Sequence, residues 1–196
     1  MDNSQIGKLI RDLRAEKSMT QRQLAEQLYI TEQAVSKWER GLGSPDISLL
    51  SNLSEILGVN IEKILAGDLQ PNDNDRGNMK RIKFYVCPNC GGVLTSTAEA
   101  EISCCGRKLQ SLEARPADDS HHLQVGPVEN DYYITCSHEM TRAHYISFIA
   151  YVTPDKLLLT RLYPEQGAEI RIPKLYGGIL YHYCTQHGLM VEKDYV

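Results

Sequence analysis

Six cysteines and six histidines carry the most legible chemistry in this chain of 196 residues. All twelve lie beyond residue 86, and the histidines all lie beyond residue 120. In Cys87-Pro-Asn-Cys90-Gly-Gly two thiols stand two residues apart. At that spacing two thiolates can hold one tetrahedral ion, and the glycines permit the tight turn. The partner pair, Cys104-Cys105, is adjacent and followed by Gly106. Adjacent residues of a strand point to opposite faces, so the chain must bend there, and Gly106 supplies the room. Iron and zinc both suit four thiolates. Three disulfides are the competing reading of the cysteine count. The polar start MDNSQIGKLIRDLRAEK has no signal-peptide pattern, so the expectation is a reducing cytoplasm, where such clusters hold metal.

A second group comprises His122, His138, His144, Cys184 and His187. Cys184-Thr-Gln-His187 is a short loop presenting two ligands, and His138 and His144 flank a turn before a β-rich run. Four imidazoles and one thiolate suit a redox-active iron with one open face. Cys136 and His182 are left over, His182 as an ordinary strand residue.

The elements that must position these groups differ along the chain. Residues 1–67 read as five short amphipathic helices. Ile6, Leu9, Ile10 and Leu13 share one helical face. Thr20-Gln-Arg-Gln23 is a capping-box pattern, Thr31 is a second N-cap, and Gly41 and Gly58 are stops. Residues 68–80, DLQPNDNDRGNMK, offer nothing to pack and read as a flexible linker. Residues 81–115 then form a small metal-knuckle β domain. From residue 116 to 196 short β-rich segments separated by turn residues suggest an antiparallel sandwich. In HYISFIAYV, Ile146, Phe148, Ala150 and Val152 alternate as a half-buried strand would. The chain is therefore expected to be multidomain. No apolar run approaches the ~18 residues that cross a bilayer, so no membrane partner is expected.

The net charge is −4, from 21 Lys+Arg and 25 Asp+Glu, so any nucleic-acid binding must come from a local surface. Within residues 1–67, IGKLIRDLRAEKSMTQRQLAEQLYITEQAVSKWERGLGSPDISLLSNLSEILGV resembles the phage-repressor-like (XRE-type) helix-turn-helix family. The segments TQRQLAEQL and QAVSKWERG carry most of the likeness. Tyr29 departs from it, standing where the family has a turn glycine, at a left-handed position that strains a side chain. The resemblance implies a double-stranded DNA operator as partner, with the second helix of the motif in the major groove. Glu32, Gln33, Ser36 and Lys37 would then lie near base edges, and Gln21 and Arg40 near phosphates. Trp38 falls on the apolar stripe and is core.

YVCPNCGGVL and ISCCGRKLQ are similar to desulforedoxin and to the N-terminal domain of desulfoferrodoxin, which hold iron through four thiolates. His138-Glu-Met, His144-Tyr-Ile and Cys184-Thr-Gln-His187-Gly-Leu-Met resemble elements of the superoxide reductase domain of desulfoferrodoxin. That resemblance implies a seven-stranded immunoglobulin-like fold and iron with His122, His138, His144 and His187 equatorial and Cys184 axial. It also implies pairing of two chains. Three departures stand out. Ser120-His121-His122 replaces a Glu-Lys-His segment, so a helper lysine is missing. Glu139 replaces a proline near the presumed open face, with His121 also beside it, and Met190 replaces a tryptophan. Two functions follow from these resemblances. One is a transcriptional regulator, a homodimer on its operator, that responds to metal state or to superoxide or another oxidant. The other is an active superoxide reductase joined to a DNA-binding domain. Purely structural metals, zinc among them, form the plainer variant of the regulator.

Overall fold

The computed structural model describes residues 2–69, 78–175 and 177–192. They form two compact units, Met1–Pro71 and Asn72–Val196. Residues 70–77, most of the expected linker, lie outside the described residues.

The first unit holds five helices: α1 (Asn3–Glu16), α2 (Gln21–Gln27), α3 (Glu32–Glu39), α4 (Ile47–Leu57) and α5 (Ile61–Ala66). Their starts are set by side chains that take up orphan amides. The Thr20 hydroxyl accepts from the Gln23 amide while the Gln23 side chain accepts from the Thr20 amide, a complete capping box. Thr31 and Asp46 cap α3 and α4 in the same way. Gly58 ends α4 in the left-handed conformation, with φ 71°.

Ile6, Leu9, Ile10 and Leu13 turn one face of α1 into a core shared with Leu24, Val35, Trp38 and Leu53. Helices α1 and α3 touch backbone to backbone at Gly7, where a Cβ would stand 1.9 Å from the Trp38 carbonyl oxygen. Tyr29, in the turn between α2 and α3, has φ 56° and a side chain 93% exposed. It carries the backbone strain expected of it and gains nothing from packing.

A polar brace ties the first three helices together. Arg14 Nε donates to Glu39 Oε1 at 2.6 Å, its Nη2 donates to Oε2 at 3.1 Å, and Gln21 Nε2 donates to the same Oε2 at 2.7 Å. The Glu39 side chain is 3% exposed. Burial pushes its carboxyl up, but the Arg14 and Gln21 hydrogen bonds outweigh that and hold it below the ordinary carboxylate range. Removing one partner of such a pair strands the other, at a cost of about 3 kcal/mol. Glu39→Gln is therefore expected to destabilise this unit by about that amount in denaturant titration. Because the folded carboxyl titrates below its unfolded value, its stabilisation is present at neutral pH. It is lost as pH falls through the lowered folded value. The variant should lack that acid-dependent loss.

In the second unit, β1 (Lys83–Val86) pairs antiparallel with β2 (Val93–Ser96), and β3 (Ile102–Cys104) with β4 (Arg107–Leu109). These hairpins carry the knuckle. Next come β5 (Arg115–Pro116), β6 (Leu123–Val128), β7 (Asp131–Cys136) and β8 (Ile146–Val152). The chain continues through β9 (Leu157–Arg161), β10 (Glu169–Pro173), β11 (Ile179–Cys184) and β12 (Gly188–Glu192). A sheet ordered β10-β7-β6 faces one ordered β5-β12-β11-β8-β9. Seven antiparallel strands make the immunoglobulin-like sandwich, and the short β5 joins β12 in parallel.

β8 is buried along its whole length, not on one face only as the alternation suggests. Its inner face packs into the sandwich, while Phe148, Ala150 and Val152 pack against Ile82 and Phe84 of the knuckle segment. Phe84 lies 5.7 Å from Phe148 and 5.4 Å from Tyr181, ring centre to ring centre. An irregularity between Tyr183 and Cys184 shifts the pairing, so Ile146 leaves the Phe148 face and joins the inner core with Ile149 and Tyr151. The Arg161 guanidinium also donates to the Gly91 carbonyl at 2.9 Å, pinning the knuckle turn.

Candidate metal centres and nucleic-acid face

The DNA-facing candidates lie on and around α3. Gln21, Glu32, Gln33, Ser36, Lys37 and Arg40 line one open groove together with Thr31. Glu32, Gln33, Lys37 and Arg40 are exposed, as the outward side of a helix requires. Gln21 lines the groove while its amide nitrogen donates one hydrogen to Glu39 Oε2. That bond also holds α2 against α3.

At the knuckle, Cys87, Cys90, Cys104 and Cys105 bring four sulfurs within 4.8 Å of one another. Cys90 and Cys104 sulfurs are 3.6 Å apart, and those of Cys104 and Cys105 are 4.0 Å apart. A tetrahedron with metal–sulfur bonds of about 2.3 Å has edges near 3.8 Å, so this spacing suits a shared ion. It is far too long for a disulfide. Cys105 reaches the group because the chain bends there, with φ 50° at Cys105 and 74° at Gly106. Amides of Cys90 and Asn89 pull the Cys87 thiol down to about 6. Crowding by Cys90 and Cys87 pushes the Cys104 thiol up to about 12. Four thiols this close cannot all ionise without a cation among them.

The second cluster gathers at one end of the sandwich. His121 precedes β6, His138 and His144 lie between β7 and β8, Cys184 ends β11, and His187 sits in the turn to β12. The donor atoms of His121, His138, His144, Cys184 and His187 all lie within 4.8 Å of one another. His121 Nε2 is 3.1 Å from His187 Nδ1, His138 Nε2 is 3.1 Å from His144 Nε2, and His144 Nε2 is 3.2 Å from His187 Nδ1. Cys184 Sγ lies 3.4 Å from His187 Nδ1 and 3.7 Å from His138 Nε2. Metal–nitrogen bonds of about 2.1 Å at right angles put neighbouring nitrogens about 3.0 Å apart. The five donors therefore fit one ion, three imidazoles presenting Nε2 and His187 presenting Nδ1.

The far side of three rings is fixed. His121 Nδ1 donates to Asp118 Oδ1 at 2.6 Å, His138 Nδ1 to the Glu139 carbonyl, and His144 Nδ1 to the Glu139 carboxylate. Each such bond leaves the opposite nitrogen with its lone pair toward the cluster. Burial, and then the neighbouring imidazoles, lower the pKa of His138 and His187, favouring the neutral ring that binds metal.

The structure places His122 outside this group and His121 inside it. The His122 side chain is 60% exposed and bonds Glu192 at 3.0 Å, whereas His121 is 2% exposed. Successive residues entering β6 point to opposite faces, and Leu123 is buried with His121. That alternation was the signal that separates the two histidines. His121 is thus a candidate ligand, not an open-face neighbour, and Glu139 lies behind His144. Cys136 is buried, and burial pushes its thiol up to about 11. His182 is wholly buried and, among the described residues, has no hydrogen-bond partner at either ring nitrogen, and burial pushes its pKa down to about 4. It is less ordinary than its strand position suggests. By metal analysis, His121→Ala should abolish metal binding at this site, while His122→Ala should leave the metal content unchanged.

Comparison with known proteins agrees with this division. Residues 10–64 match the family model for the helix-turn-helix. Among curated proteins the chain is 41% identical over 81 residues to the HTH-type transcriptional activator BcrR of Enterococcus faecalis, covering 39% of each chain. The chain thus spans well under half the length of that relative. It is 25% identical over 116 residues to desulfoferrodoxin of Clostridium acetobutylicum, covering 55% of this chain and 93% of that one. Among solved structures, superoxide reductase from Treponema pallidum matches with TM-score 0.50 and 19% identity, over 57% of this chain and 97% of that one. At that identity the likeness speaks for the fold alone. The N-terminal unit is a helix-turn-helix domain of the XRE type, and it is joined to a desulfoferrodoxin-like module.

Proposed function

We propose that this chain is a sequence-specific DNA-binding regulator whose affinity for its operator follows the state of iron in the C-terminal module. The observation that carries the reading is the pairing, in one chain, of an exposed α3 face with a five-donor cluster of four imidazoles and one cysteine sulfur. Gln33 would pair with adenine, Lys37 would reach a guanine or a phosphate, and Arg40 would hold a phosphate. As a homodimer the chain would meet half-sites about 34 Å apart, one helical turn of DNA. Iron, when bound, supplies one-electron redox chemistry at both clusters. The four cysteines would hold it at the knuckle, where zinc also fits, and the four imidazoles with Cys184 would hold it at the second cluster.

With His121 among the donors, the lysine of the family's Glu-Lys-His segment falls on Ser120. Ser120 is occupied in a turn, its hydroxyl donating to Asp118 Oδ1 at 2.7 Å. A hydroxyl so tied neither attracts an anion as a lysine would nor delivers a proton readily. That favours sensing over sustained turnover. The field of Arg115, on β5, reaches His187 and is a cation near the cluster that sequence reasoning passed over.

Metal-free, reduced and oxidised protein should bind operator DNA with at least fivefold different affinities at matched salt, measured by fluorescence anisotropy. Equal affinity in all three states would remove the sensing role. Gln33→Ala should cost about 1–3 kcal/mol on the cognate operator and little on random DNA.

A further inference from the structure

The donor cluster is backed by two carboxylates that differ in origin. Asp118 Oδ1 accepts from His121 Nδ1 at 2.6 Å, from the Ser120 hydroxyl at 2.7 Å and from the Ser120 amide at 3.1 Å. Glu139 serves two rings at once: its carbonyl takes the His138 N–H and its carboxylate takes the His144 N–H. Of the four histidines in the cluster, two therefore lean on an anion and one on a peptide oxygen. Neither carboxylate reaches the donor side of the cluster. Both are a little over half exposed, at 57% and 56% of the side chain, so solvent screens part of their charge.

A carboxylate on Nδ1 does two things to a ligating imidazole. It fixes the tautomer and the ring plane, and it draws the N–H proton toward itself, so that Nε2 donates more strongly. An anion near the metal also favours whichever oxidation state carries the greater positive charge, by simple attraction. Both effects point the same way.

We propose that Asp118 and Glu139 are positioning residues that hold His121 and His144 with Nε2 inward and bias iron bound at this cluster toward its oxidised state. The proposal rests on reading the cluster as an iron site. It deepens that reading by naming what sets the oxidation state to which the regulator is poised. A site backed by two carboxylates gives up an electron readily and regains it slowly, which suits a detector of oxidants.

The test is a redox titration of the iron-loaded full chain, followed by the thiolate–iron absorption of this cluster. At a fixed poise, Asp118→Asn and Glu139→Gln should each lower the oxidised-to-reduced ratio about tenfold, a rise of about 59 mV for one electron. Asp118→Glu and Glu139→Asp, which keep the charge, should stay closer to the parent protein than the neutral forms do. The four-thiolate site in the same molecules should not shift. Unchanged potentials in both neutral variants overturn the proposal. A variant that no longer retains iron is read by zinc competition against a chromophoric chelator. A tenfold or greater loss of affinity at this cluster, with none at the four cysteines, supports the proposal, and unchanged affinity overturns it. If the parent protein takes no iron at this cluster, the functional reading fails on that ground, while the zinc competition still judges the positioning role.

Discussion

Setting four imidazole nitrogens and a thiol within 4.8 Å of one another turns lone pairs against lone pairs, and a bound cation relieves that repulsion. The arrangement of the sandwich follows from the need to make this convergence. Cys184 arrives at the end of β11, where the pairing with β8 slips by a residue. His187 follows within the tight turn into β12, and Gly188 takes φ 85° to let the chain reverse. His138 and His144 come from a connection whose own side chains secure it, Thr141 accepting from the His144 amide. The end of β11 thus places Cys184, and the loops that carry the histidines are anchored between rigid strands.

The knuckle and the sandwich share more than sequence proximity. Phe84 lies between Phe148 and Tyr181, and Phe148 stacks on Tyr183 at 5.6 Å, immediately before Cys184. The outer face of β8 is thereby covered by the segment that leads to Cys87. A small four-cysteine unit has too little core to stand alone, and this apolar contact supplies part of what it lacks; a bound metal would add to it. The helix-turn-helix unit is built on other terms, with a closed apolar core and the Arg14–Glu39–Gln21 brace beneath an exposed reader helix. Its sequence carries eight basic and nine acidic residues over positions 1–67. That balance limits non-specific attraction to DNA, so in the proposed reading discrimination would fall on a few side chains of α3.

Legibility in the sequence varied with how local the governing physics is. Capping residues and helix stops are local, and Thr20, Thr31, Asp46 and Gly58 act where the sequence places them. The four-cysteine knuckle is nearly as local, because Gly106 announces the bend that its adjacent pair needs. The second cluster depends on strand faces. Its spacing identifies His138, His144, Cys184 and His187, but two adjacent histidines cannot be told apart without knowing which enters β6 facing inward. The burial of both faces of β8 is equally non-local, since the covering strand lies more than sixty residues earlier. Hydrogen bonds from Asp118 and Glu139 to the rings become visible only once the loops are folded.

Whether this chain couples a DNA reader to two separate metal centres, one of them a redox-active iron site, is read most directly by metal analysis with visible spectroscopy. The sample is full-length protein purified without oxygen from iron-replete cells. One metal is expected at each cluster, with a thiolate–iron band of the imidazole–cysteine site that appears on oxidation and fades on reduction. Protein lacking that band, or with metal at the four cysteines alone, would overturn this reading.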